Sequence, residues 1–181
     1  RGVGIQSLLK DEGEVQIIGG KQTQRYSQNG IKGYILNSDI DGNKNKLSFM
    51  LQQKIISQDL VAHIQNPLPH IKLSSFYDET GKVLGLDTVQ NTILRTKSYD
   101  YRYIVALLNS NFINWYTYKF IYASAIRTMH FDNNYIGKIF IPKITLEQQK
   151  PLIDLVLEIE NKIKFSENYS LLENKINEII Y

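Results

Sequence analysis

The hydrophobic period changes near Tyr99, and that change limits the possible folds more than any other feature of the chain. Before it, apolar residues come in short alternating runs. Val15, Ile17 and Ile18 stop at Gly19-Gly20, and Tyr34, Ile35 and Leu36 stop at the turn-rich Asp39-Ile40-Asp41-Gly42-Asn43. Residues 46–49, 54–56, 61–64 and 88–94 supply further short runs. A period of two lays one face of a strand on a core. Residues 71–77 and 82–86 flank Asp78-Glu79-Thr80-Gly81, which reads as a hairpin. After Tyr99 the period becomes helical: Ile104, Leu107 and Leu108, then Phe112, Trp115, Tyr116, Lys119 and Phe120. Asn109-Ser110 breaks this run, because both side chains compete for backbone hydrogen bonds and favour caps.

Residues 136–144 return to alternation and predict a strand, with Pro142 suited to its end. Thr145 and Gln148 have capping-box spacing and open a helix with the stripe Leu152, Leu155, Val156, Ile159, Ile163. A second stripe, Leu172, Ile176, Ile179, follows. These two helices are too amphipathic to stand alone, so they pack on the domain or on a partner. The expectation is an α+β fold: a twisted, mostly antiparallel sheet in residues 1–98, a helix-strand part in 99–144 with one returning strand, and amphipathic helices in 145–181. All 181 residues fit one domain, a length that buries roughly 70% of the unfolded surface. The chain opens at Arg1 without Met and is expected to be a fragment of a larger protein.

Charge sharpens the division. Residues 101–145 carry five Lys and Arg against the single Asp132, while residues 146–181 carry four Lys against seven acids. A basic, aromatic middle suits a polyanion, although an ordinary solvated surface explains so small an excess equally well. No apolar run reaches membrane-spanning length, and no signal peptide opens the chain, so a cytoplasmic protein with no membrane partner is expected. With no Cys, disulfides, thiolate chemistry and cysteine zinc sites are excluded.

Chemistry-bearing motifs are incomplete. Gly19-Gly20-Lys21 lacks the earlier Gly of a phosphate loop, and Gln22 stands where its hydroxyl residue belongs. His63, His70 and His130 lack metal-ligand spacing. Ser124, His130 and Asp132 lack a nucleophile elbow. The carboxylates of Asp11-Glu12-Gly13-Glu14 and of Asp78-Glu79 sit in turns. Asn66-Pro67-Leu68-Pro69 departs from the Asn-Pro-Pro-aromatic loop of adenine methyltransferases at its third and fourth positions. No catalytic or metal residues are therefore expected, and no cofactor in this fragment.

Five segments in order carry a likeness. They are Ile18-Gly19-Gly20-Lys21-Gln22-Thr23-Gln24-Arg25-Tyr26; Lys54-Ile55-Ile56; the helix from Tyr103 ending Leu107-Leu108-Asn109-Ser110; Ile139-Phe140-Ile141-Pro142 followed by Gln148-Gln149; and the closing residues from Leu172 to Tyr181. Together they resemble the C-terminal target-recognition, TaqI-type specificity domain of N6-adenine DNA methyltransferases and type IIG restriction-modification enzymes. Type I specificity subunits are similar in kind. Thr23 departs from the pattern, which has Ile there. The resemblance implies a bacterial, non-catalytic module that reads double-stranded DNA. A methyltransferase domain, in the same chain or a partner subunit, would then flip and methylate an adenine with S-adenosylmethionine. The parent would be an adenine methyltransferase, a type II restriction endonuclease, or both.

Such a module needs cations for phosphates and planar amides or guanidinium groups for base edges. The candidates lie in expected loops: Lys21, Gln22, Gln24 and Arg25; Arg95 and Lys97; and Arg127, Thr128, His130, Asn133 and Asn134. Each is otherwise a plain solvated loop residue. Lys21, Arg25, Arg95 and Arg127 are expected to share one concave face. Trp115, Tyr116, Tyr118 and Tyr122 offer stacking surfaces, although their helical spacing favours the core. Two other classes remain open: an interaction module docking a partner through the C-terminal helices, and a carbohydrate-binding β domain.

Overall fold

The computed structural model describes residues 5–41 and 47–181. Gly42 and Asn43 of the expected turn, with Lys46 and Arg1, lie outside the described residues. Strands β1 (Val15–Ile18), β2 (Gly33–Ile35), β3 (Lys54–Gln58), β4 (Leu60–Val61), β5 (His63–Ile64), β6 (His70–Ile71), β7 (Ser75–Asp78), β8 (Val83–Gly85) and β9 (Val89–Thr92) fill the first half. A short helix, α1 (Asn37–Asp41), follows β2. Then come α2 (Tyr101–Asn109), α3 (Asn111–Tyr116), β10 (Met129–His130), α4 (Asn133–Ile136), α5 (Leu146–Lys164) and α6 (Ser170–Ile180). The α+β division stands, with the β part split among small sheets. One has the order β2-β1-β8, another β7-β3-β9, and β4–β10 and β5–β6 form two-stranded ribbons. Pairing is antiparallel except β1 with β8, where Ile17 faces Leu84.

Strand β3 is central, and Ile55, Ile56 and Ser57 are all buried on it. Ser57 faces Ser75 of β7, and their hydroxyls hydrogen-bond at 2.7 Å. The hairpin expected between β7 and β8 does not form, because each strand pairs in a different sheet. The turn between them is real. Asp78 accepts hydrogen bonds from the Thr80 hydroxyl and from the backbone N–H groups of Gly81 and Val83. Gly81 takes φ +67° against the Gln52 backbone, a conformation glycine tolerates best. Fully buried Lys54 donates to the same carboxylate at 2.6 Å. Burial pushes the Lys54 ammonium below the usual lysine range, and Asp78 pulls against that shift. So anchored, the turn hands the chain from one sheet to the other instead of folding it back.

The helix break at Asn109-Ser110 joins the two halves. Asp100 caps α2 through the Arg102 N–H, and Ser110 caps α3 through the Ile113 N–H. The Asn109 amide accepts from Ser75 N–H at 3.0 Å and donates to Ser75 C=O at 2.9 Å. It thereby serves the open edge of β7, where the Ser75 N–H would otherwise be buried unpaired, and shares the Ser75 carbonyl with the Tyr26 N–H. Asn114 does the same for Leu73 N–H at 2.6 Å. Helix α5 opens with the expected capping box, Thr145 and Gln148 exchanging both bonds. Leu152, Val156 and Ile159 of α5 and Leu172 and Ile176 of α6 are buried in the same core as α2.

The strand expected over residues 136–144 is absent. Residues 133–136 form α4, capped by Asp132, and residues 137–144 run as irregular chain. Ile139 is buried and Ile141 and Ile144 pack on the same main core, so the alternation reports burial there rather than strand pairing. Tyr103 donates its hydroxyl to Pro142 C=O. The strand that does return is β10, seven residues earlier, with Met129 opposite Val61.

Candidate nucleic-acid interface

Strand β1 runs into a 3-10 turn, Gly20–Gln22, that presents Lys21 to solvent. The turn is closed by its own polar groups. Gly19 N–H donates to Gln22 Oε1 at 3.1 Å and Gly20 N–H to Thr88 Oγ1 at 2.8 Å. A Cβ at Gly20 would meet Thr88 C=O at 2.9 Å, so only glycine permits that approach. Both glycine N–H groups are therefore spent, and the turn cannot cradle a phosphate as a phosphate loop does. What it offers is a cation: Lys21 and Lys32 line an open cleft of about 510 Å³ with Gln22, Gln58, Leu60 and Thr88. Neither lysine forms an ion pair with a described residue. Gln24 is exposed beside the turn.

Arg25, one residue further, is used differently. Its guanidinium meets Glu173 of α6 at 2.9 Å through Nε and 2.6 Å through the terminal nitrogen. It also lies 5.7 Å from the Tyr26 ring centre. Tyr26 is buried with φ +65°, packs edge-on against Tyr169, and has its phenol pushed up to about 12, chiefly by burial. The arginine thus ties the β1–β2 loop to the last helix, in a cleft it shares with His70, Trp115 and Asn177.

Arg95, just past β9, is exposed and lines a third cleft of about 560 Å³ with Gln90, Asn91, Asn133 and Phe49. Gln90 donates to Asn133 Oδ1 at 2.9 Å, fixing an amide pair between β9 and α4. Arg127 and Thr128 are exposed just before β10, as are Lys97 after β9 and Asn134 on α4. His130 is half-exposed, and its Nδ1 sits 2.7 Å from the carboxylate of buried Asp59. Lys21, Arg25 and Arg95 therefore line three different clefts. The structure unites Arg95 with Asn133, and Lys21 with Gln22, but leaves Arg25 apart from both. Lys32, Gln90 and Asn91 are cleft residues that loop-based reasoning missed. A polar residue at a buried strand position, Gln90, was the available signal.

Of the aromatic candidates, Tyr118 and Tyr122 are core residues, and Tyr116 is half-buried. Trp115 is exposed, between Phe112 and Phe120.

The model of the TaqI-like C-terminal specificity domain matches residues 15–141, from the first residue of β1 to the chain beyond α4. The chain belongs to this family. A TaqI-like specificity domain serves DNA target recognition in restriction-modification. The matched span of this specificity domain holds Lys21, Arg25, Arg95, Arg127 and Asn133 and ends before α5 and α6. No curated protein matches the chain. Among the described residues there is no cluster of ligands able to hold a metal, and no helix is long and apolar enough to cross a membrane.

Proposed function

We propose that this specificity domain reads double-stranded DNA for an adenine-N6 methyltransferase or a type IIG restriction-modification enzyme, and carries no catalysis of its own. The observation that supports this best is that Lys21, Lys32 and Arg95 stand in open clefts within or beside the matched fold with no carboxylate partner among the described residues. Duplex DNA carries one charge per ~1.7 Å of axis, and cations of this kind are what a positioning surface needs. In this reading Lys21, Lys32, Arg95, Lys97 and Arg127 meet phosphates, and Gln22, Gln24, Thr128, His130 and Asn133 stand near bases. Arg25 acts through the fold by holding the loop that carries Lys21.

The Gly-rich turn does not fit S-adenosylmethionine, since its N–H groups already bond Gln22 and Thr88. That cofactor, with methyl transfer, is assigned to a methyltransferase domain elsewhere in the parent assembly. A titration of the chain with a randomised-sequence duplex over a range of salt tests the reading. Affinity should fall steeply as salt rises. Affinity absent at low salt, or indifferent to salt, would overturn it.

A further inference from the structure

We propose that the cleft between β9 and α4 reads the major-groove edge of an adenine, with Gln90 and Asn133 as the reading pair and Arg95 as the phosphate anchor beside it. This rests on the DNA-recognition reading above and adds to it a base identity and a residue, Gln90, outside the expected loops.

The starting point is a pair of buried acceptors. Gln90 is 3% exposed, yet its Oε1 has no hydrogen-bond partner among the described residues, and neither has Oδ1 of neighbouring Asn91. Buried polar atoms are nearly always paired, so an orphan at the floor of a cleft points to a ligand that supplies the donor. Both residues line the cleft that holds Arg95 and Asn133.

The pairing of the two amides decides what the ligand is. Gln90 Nε2 donates to Asn133 Oδ1, which leaves the Gln90 carbonyl as an acceptor and the Asn133 amino group as a donor. Exchanging oxygen and nitrogen in both amides still leaves one donor and one acceptor. In the major groove adenine shows an acceptor, N7, next to a donor, the N6 amino group. Guanine shows two acceptors, N7 and O6, so one would face the remaining carbonyl. Thymine offers only an acceptor and a methyl, and cytosine only a donor. Adenine alone satisfies both ends. Exposed Phe49 and its neighbour Met50 form an apolar wall of the same cleft, suited to the methyl of the paired thymine. Arg95 carries an exposed cation with no ion pair to a described residue, placed for the adjoining phosphate.

The test uses the full chain, first with modified DNA, which leaves the wild-type fold undisturbed, and then with two variants. A binding site is first selected from randomised duplexes. Each adenine in it is then replaced by 7-deazaadenine, which lacks N7, and by purine, which lacks the N6 amino group. One adenine position should respond to both replacements with a loss of about tenfold or more. Asn133→Ala, an exposed change that keeps α4 capped by Asp132, should weaken the unmodified site by a similar factor. It should also abolish sensitivity to 7-deazaadenine at that same position. Gln90→Leu should abolish sensitivity to purine there. If sequence-selective binding persists but Asn133→Ala loses equally on modified and unmodified DNA, the adenine assignment is overturned and the DNA-recognition reading survives. If the chain shows no salt-dependent DNA binding at all, both are overturned.

Discussion

The loop after β1 and the segment after β9 each carry an arginine, and the fold treats the two in opposite ways. Arg25 is mostly buried against Glu173 of α6, 148 residues away, and braces a loop. Arg95, three residues past β9, stands in an open cleft beside an amide pair. The contrast teaches that a cation's worth as a ligand contact depends on whether the core has already claimed it. Lys54, fully buried on Asp78, marks the far end of the same scale.

Removing the most deeply claimed cation should have the largest effect. Lys54→Met leaves the Asp78 carboxylate buried without its counter-charge, and chemical denaturation should show a loss of about 3–5 kcal/mol. A loss below about 1 kcal/mol would mean that the turn bonds alone satisfy Asp78. Arg25→Ala is the intermediate case. Its pair with Glu173 is only partly desolvated, so about 2 kcal/mol is expected by the same measurement. Arg95→Ala should change stability by no more than about 0.5 kcal/mol, as for a solvated side chain. If Arg95→Ala proved as destabilising as Arg25→Ala, the comparison would break.

Alkaline pH probes the braced side in another way. Tyr26 titrates near 12 when folded against an ordinary value of 10, because burial disfavours the phenolate. A raised folded value means that this contribution is whole below pH 10 and is lost as pH rises from about 10 to 12. Tyr77, stacked on Tyr101 at 4.8 Å, is also pushed up to about 12 and acts in the same window. Circular dichroism should therefore show unfolding within that window, with tyrosinate absorbance rising in step. A tyrosinate step near pH 10 that Tyr26→Phe removes, appearing while the fold is intact, would contradict this.

Local signals were the legible part of the fold. Ser110, Thr145 and Gln148 cap helices through neighbours three residues away, so their roles follow from spacing alone. Pairing was not legible, because β7 and β8 take partners from distant strands, and Ile139, Ile141 and Ile144 pack into the main core without pairing as a strand. The candidate site divides on the same line. Arg95, Lys21 and Asn133 could be named as loop residues. That Arg25 is engaged by Glu173, and that Gln90 aligns Asn133, depends on contacts across the whole fold.

The most direct test is the salt dependence of duplex binding, with cleft cations and braced cation compared side by side. Replacing Lys21, Lys32 and Arg95 together by Ala should flatten the slope of log affinity against log salt by about 3, near one per released phosphate contact. Arg25→Ala, measured where it remains folded, should leave the slope unchanged. An unaltered slope in the triple variant, or a slope flattened by Arg25→Ala alone, would contradict the account.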